Sequence, residues 1–171
     1  MAIDQIRAQL KAIYDLYRTA LMNEKYNANR LTLFRRLNFF YEAFLALGAS
    51  STIAAWSLWK TETGRTSWSA FGGFVAVLVV LKPVFQIPKL IEEYSKRHTG
   101  YRGLYLSLDD MVSEIAVKKT LTPEDEVLFE GAKKQGKELA LTDPEHVNEK
   151  LLRRCQEEVE QKIPPTSFWY P

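Results

Sequence analysis

The sequence holds one cysteine, Cys155, and two histidines, His98 and His146. A lone cysteine excludes an intramolecular disulfide and suits a reducing compartment. The two histidines have no metal-ligand spacing. There is no Walker loop, no G-x-S-x-G and no dinucleotide fingerprint. Gly72-Gly73 lies in an apolar run, where it is no phosphate cradle. The adjacent acids Glu92-Glu93 and Asp109-Asp110 point about 100° apart on a helix, so neither pair is a dyad. These absences argue against an enzyme, and no metal or cofactor is expected. The first 37 residues carry charges throughout, without an apolar core of roughly 7–15 residues, so no cleavable signal is expected.

What is present is unevenly spread. Of 171 residues, 46% are apolar and 26% charged, which averages to an ordinary soluble composition. The net charge of +2 conceals two halves. Residues 1–98 carry 13 basic against 7 acidic side chains, and residues 99–171 carry 10 against 14. A basic first half is suited to meeting something anionic, such as lipid headgroups or nucleotides.

Ile3, Ile6, Leu10, Ile13, Tyr17 and Leu21 recur at helical spacing, which predicts an amphipathic helix over 3–21. No Pro or Gly interrupts it before Gly48. Residues 39–59 then hold a single charge, Glu42. About 20 residues at 1.5 Å each cross a hydrocarbon core of roughly 30 Å. Arg35 and Arg36 flank one end; Trp56, Trp59 and Lys60 flank the other. A polar turn follows over 60–67, and a second apolar run over 68–87 starts at Trp68 and contains Lys82. Pro83 and Pro88 are expected to kink or end it. Two apolar runs around a short polar turn predict a transmembrane hairpin. Arg30, Arg35 and Arg36 precede it, and Lys89, Lys96 and Arg97 follow it, so both termini are expected to be cytoplasmic.

Two candidate sites follow. Glu42 and Lys82 are ionisable groups in apolar runs, to be read either as snorkelling charges or as pore-lining ones. Gly48, Ser51 and Thr52 join them as pore-lining candidates. Small residues four apart (Gly48/Thr52, Ser69/Gly73, Gly72/Ala76) let helices approach closely in lipid, within one chain or between copies. The second site is a basic cluster near the inner face: Arg30, Arg35, Arg36, Lys96, Arg97 and Arg102, with Tyr101 beside them. Cations mixed with aromatic rings suit phosphates, stacked bases or anionic headgroups.

Past the hairpin the chain reads as helices. Leu104, Leu108, Met111, Val112 and Ile115 form a stripe. Thr122-Pro123 signals a helix start, and Asp143-Pro144 signals another. The apolar face of the second is Val147, Leu151, Cys155, Val159 and Ile163. Gly131 and Gly136 weaken the helix between.

Tyr14, Tyr17 and Tyr26 on the first helix, the Asn29-Arg30-Leu31 step and the hairpin together resemble the SLATT domains over roughly residues 5–120. These are two-transmembrane effectors found beside nucleotide-signalling enzymes in bacterial conflict systems. The resemblance implies a pore-forming or membrane-disrupting protein whose activation is tied to a nucleotide-type signal from a partner nucleotidyltransferase. The expectation is therefore an all-α membrane protein with three parts: an amphipathic helix over 1–37, a transmembrane hairpin over 38–91 and a cytoplasmic helical region over 92–171. One hairpin encloses no water, so a pore needs a homo-oligomer of about four or more copies in membrane lipid. The implied setting is antiviral defence at a bacterial inner membrane. The alternative is a non-conducting adaptor that recruits a signalling partner through its cytoplasmic helices.

Overall fold

The computed structural model describes residues 3–58, 61–144 and 147–171, with side chains described for all of these except 49–58. The chain is all-helical, with no strand among the described residues. Five helices follow one another: α1 Ile3–Leu58, α2 Glu62–Phe85, α3 Ile87–Lys118, α4 Pro123–Ala140 and α5 Glu149–Lys162. A short 3-10 turn, Pro165–Ser167, precedes the final residues.

Two compact units divide these helices. One comprises residues 1–30 and 94–171; the other is Leu31–Glu93. α1 and α3 each run through both units.

The first unit holds the apolar core. Leu10, Ile13, Tyr17 and Leu21 of α1 are buried with Leu104, Leu108, Met111 and Ile115 of α3. α4 adds Phe129 and Ala132, and α5 adds Val159, with Ile163 just beyond it. The helical stripes thus face inward, which is what drives their packing. Tyr14 is buried too, at 2% exposure, whereas Ile3 is 60% exposed at the open start of α1. Thr122 caps α4 with a full capping box: its hydroxyl accepts from Asp125 N–H and the Asp125 carboxylate accepts from Thr122 N–H. Pro123 fills the first helical turn, where its missing N–H costs nothing. Gly131 and Gly136 do not break α4.

One start is displaced from its sequence signal. Asp143-Pro144 begins no helix; α5 starts at Glu149 behind the cap Asn148. The Asn148 side-chain Oδ1 accepts from Leu151 N–H at 3.0 Å, and the Asn148 backbone N–H donates to the Tyr26 hydroxyl at 3.0 Å. Asp143 is instead held by the Tyr101 hydroxyl. Val147 consequently lies ahead of the helix and is 44% exposed.

The second unit has the opposite character. Among its described residues it buries only Leu31 and Tyr41. It exposes Leu33, Leu37, Phe39, Phe40, Phe44 and Leu47 of α1, and Phe74, Val77, Val79, Val80, Val84 and Phe85 of α2. α1 and α2 run antiparallel within it: Tyr41 bonds Leu78, Phe44 meets Phe74 and Gly48 meets Val75. α2 has a mean hydropathy of 1.8 over its most apolar window and no buried residue. It is long and apolar enough to cross a membrane, the one such helix among the described residues. The first expected span, 39–59, lies at the end of α1, and the side chains of 49–58 with residue 59 fall outside the described residues.

The expected polar turn over 60–67 is shorter than its composition suggests. Residues 62–67 are already helical. Thr61 caps α2 by accepting from Gly64 N–H, and the hydroxyls of Thr66 and Ser69 bond back to the carbonyls of Glu62 and Arg65. Hydroxyl side chains thereby satisfy the polar first turns locally. Past Pro83, α2 ends at Gln86 in the left-handed conformation, φ 43°, and Pro88 sits in the first turn of α3.

Candidate functional site

Within Leu31–Glu93, the two charges of the apolar runs face each other. The Lys82 ammonium lies 3.3 Å from Glu42 Oε1, and both side chains are half exposed. The same ammonium sits 5.8 Å from the centre of the Tyr41 ring. Tyr41 in turn donates its hydroxyl to the Leu78 carbonyl at 2.8 Å, one turn before Lys82. Two residues from α1 therefore meet one charge from α2. An ammonium compensated by a carboxylate and a ring face costs far less to hold in apolar surroundings than a bare one.

Gly48 marks the close approach of the same two helices. A Cβ placed on Gly48 falls 2.7 Å from Val75 Cγ1, so only glycine fits without a shift. Gly72 and Gly73 differ, with nothing within 4 Å of a Cβ at either. Ser51 and Thr52 lie on the helical backbone of α1, but their side chains fall outside the described residues.

The basic cluster divides between the units. Arg35 and Arg36 are exposed on α1 within Leu31–Glu93. Arg30, Lys96, Arg97, Tyr101 and Arg102 belong to the other unit. There Arg30 and Arg97 converge on one ring. The Arg30 guanidinium lies over Tyr94 at 5.4 Å and that of Arg97 at 5.1 Å. Arg30 Nε also donates to the Tyr94 hydroxyl at 3.4 Å. Tyr94 itself is 3% exposed and so a fixed anchor. Lys96 and Arg102 are exposed on α3.

Tyr101 is buried and donates its hydroxyl to Asp143 Oδ2 at 3.0 Å. Burial and the Asp143 charge push its hydroxyl well above the ordinary tyrosine range. It therefore stays a donor to a carboxylate, and its hydroxyl is committed within the chain. Asp109, whose adjacent acid Asp110 makes no dyad with it, accepts from the Tyr17 hydroxyl at 2.5 Å. Their separation along the chain left no local signal for that pair. Cys155 is fully buried, and burial raises its thiol above the ordinary range, so little thiolate forms. Among the described residues, no group of three His, Cys, Asp or Glu side chains is arranged to hold a metal ion.

No family model, curated protein or solved structure matches this chain.

Proposed function

We propose that the chain is a membrane effector: a hairpin of α1 and α2 embedded in lipid, a cytoplasmic helical bundle, and several copies forming a pore. The observation that carries this reading is the inverted unit Leu31–Glu93. It turns its large apolar side chains outward and neutralises its two apolar-run charges against each other. Exposed apolar surface on this scale is an interaction face, and one made of large aliphatic and aromatic side chains suits lipid. Trp68 near the start of α2 suits a membrane interface. The setting is a bacterial inner membrane with both termini cytoplasmic, in accord with the basic flanks.

By the SLATT resemblance, a nucleotide or oligonucleotide made by a partner nucleotidyltransferase biases the pore between closed and open. Such a ligand acts only through different affinities for the two states. Arg30 and Arg97, both placed at Tyr94, are the cationic pair best ordered to receive a phosphate. Depolarisation on opening would then halt an infected cell.

The test is leakage of a trapped dye from liposomes carrying the purified chain, with and without added nucleotides. Leakage that rises or falls with nucleotide supports a gated pore. Tight vesicles under every condition favour the non-conducting adaptor. Extraction of the chain from cell membranes by alkaline carbonate would overturn the hairpin itself.

A further inference from the structure

The two charges within the apolar runs cancel, but the cations at their edge do not. Arg35 and Arg36 on α1 and Lys89 on α3 are exposed, and none of them has an ion pair among the described residues. All three belong to the unit Leu31–Glu93, which turns its large apolar side chains outward. Glu42, one of the few acids of that unit, is already held by Lys82. The counter-charge for the three cations therefore comes from outside the chain.

The register of the hairpin brings two of the three to one place. Tyr41 bonds Leu78 and Glu42 meets Lys82. One turn further, Asn38 lines a small pocket with Tyr41, Lys82, Phe85, Ile87 and Pro88. The antiparallel pairing thus continues past the left-handed Gln86 into the first turn of α3. One more turn along α1 reaches Arg35, and the same register brings Lys89 level with it. At about 100° per residue, Arg35 lies about 60° around α1 from Asn38, and Arg36 about 160°. Arg35 and Asn38 share the face that meets α2 and α3, and Arg36 lies off it. Asn38 is half buried, and its amide has no hydrogen bond among the described residues. It is a neutral donor one turn from the Arg35 guanidinium.

Apolar side chains flank this spot. Phe39 lies about 40° around α1 from Arg35, and Phe39, Val84 and Phe85 are all exposed. A free phosphate gains nothing from such neighbours. A phospholipid does, because its phosphate meets the cations and the amide while its acyl chains lie against the rings and the valine. Two cations without a free carboxylate select an anionic headgroup, since the choline of a zwitterionic one would face like charge. We propose that Arg35, Asn38 and Lys89 form a site for the phosphate of one anionic phospholipid at the basic end of the hairpin. This inference rests on the membrane reading above and needs neither a pore nor a nucleotide.

The test titrates the full chain in non-ionic detergent with short-chain phosphatidylglycerol or phosphatidylcholine and follows bound lipid by native mass spectrometry. The parent should hold one phosphatidylglycerol about 30-fold more tightly than phosphatidylcholine, the ratio that two cations beside a lipid headgroup supply. Arg35→Gln and Lys89→Gln should each cut that preference about fivefold. Asn38→Ala removes no charge and should still weaken phosphatidylglycerol about fivefold or more, as loss of a hydrogen bond to a charged group does. Arg36→Gln removes the same charge from the other side of α1 and should leave the preference near that of the parent. Equal losses from Arg35→Gln and Arg36→Gln, with none from Asn38→Ala, mean diffuse surface charge and overturn the site. A parent that holds both lipids equally overturns it too. Alkaline carbonate separates the two readings: a carbonate-resistant chain without the preference loses the lipid site alone, whereas an extracted chain loses the hairpin as well.

Discussion

A single methyl group at Gly48 probes the hairpin most sharply. A Cβ there falls 2.7 Å from Val75 Cγ1, 3.2 Å from Cγ2 and 3.4 Å from Cβ. Carbons rest comfortably at roughly 3.5–4.0 Å, so the worst overlap is about 1 Å. Val75 is β-branched and in a helix holds one rotamer about 90% of the time. Forcing it away costs about 0.5–1.5 kcal/mol. Parting the helices instead is overpacking, at about 1–3 kcal/mol. Alanine gains about 1 kcal/mol of helix propensity over glycine. Gly48→Ala should therefore fall between neutral and about 2 kcal/mol destabilising. Gly72→Ala meets nothing within 4 Å and should show the propensity gain alone. The two variants should thus differ by about 1–3 kcal/mol, a factor of roughly 5–150 in equilibrium constant. Thermal unfolding in detergent, followed by far-UV circular dichroism, measures this. Val75→Ala in the Gly48→Ala background should recover most of the loss, as contacting sites couple. If Gly48→Ala is as stable as Gly72→Ala, the close approach of α1 and α2 is refuted.

Glu42→Gln should strand the Lys82 ammonium and reduce the carbonate-resistant fraction, because an unpaired lysine at the bilayer centre costs about 2.5–3.5 kcal/mol and less towards the edge. Adding Lys82→Gln should restore it, and an unchanged fraction in the single variant would show that the pair is idle. Tyr17→Phe removes the donor to Asp109 and should cost about 1.5–3 kcal/mol in the melting curve. A loss under half of that would mean that solvent satisfies Asp109. Burial pushes the Tyr14 hydroxyl up to about 12. The folded state then holds that proton more tightly than the unfolded chain, so stability is fully present below about pH 10 and declines as pH climbs from 10 towards 12. Melting temperature against pH, with tyrosinate absorbance, should show the two changing together; a flat profile across that window counts against a buried Tyr14. Gly72→Leu should lower the oligomer fraction in size-exclusion chromatography while leaving the thermal unfolding of the hairpin near that of the parent.

Helical class and the main core stripes were legible because their signals are local and periodic. Leu10, Ile13, Tyr17 and Leu21 repeat with the helix and are buried together. Thr122-Pro123 starts α4 because the cap closes on Asp125, three residues away. Asp143-Pro144 misleads because its carboxylate is claimed by Tyr101, while Tyr26 helps to hold Asn148 at the true start. Both claims come from residues far along the chain, which no local pattern records. The site shows the same division. Arg30 and Arg97 are visible as basic residues, yet their meeting at Tyr94 joins positions 64 apart in the first case. Glu42 and Lys82 stand out singly as charges in apolar runs, but their pairing depends on the register of the hairpin, set partly at Gly48.

That register constrains how copies of the chain could assemble. At about 100° per residue, Phe71, Val75, Leu78 and Lys82 fall on one face of α2. Three of these positions meet α1 through the contacts at Gly48, Tyr41 and Glu42. Ser69, Gly72, Gly73 and Ala76 fall on a face about 140° away. Phe74, Val77, Leu81 and Val84 occupy the arc between. The small-residue face is therefore not consumed by packing within the hairpin, and its glycines stand open. Lipid offers small residues no advantage over large apolar ones, whereas a neighbouring helix does, because backbones approach where side chains are short. Large residues towards lipid and small ones towards a second copy is thus the orientation that uses every face. In that orientation the Glu42–Lys82 pair stays between α1 and α2, so a lumen would be lined by hydroxyls and backbone more than by free charge.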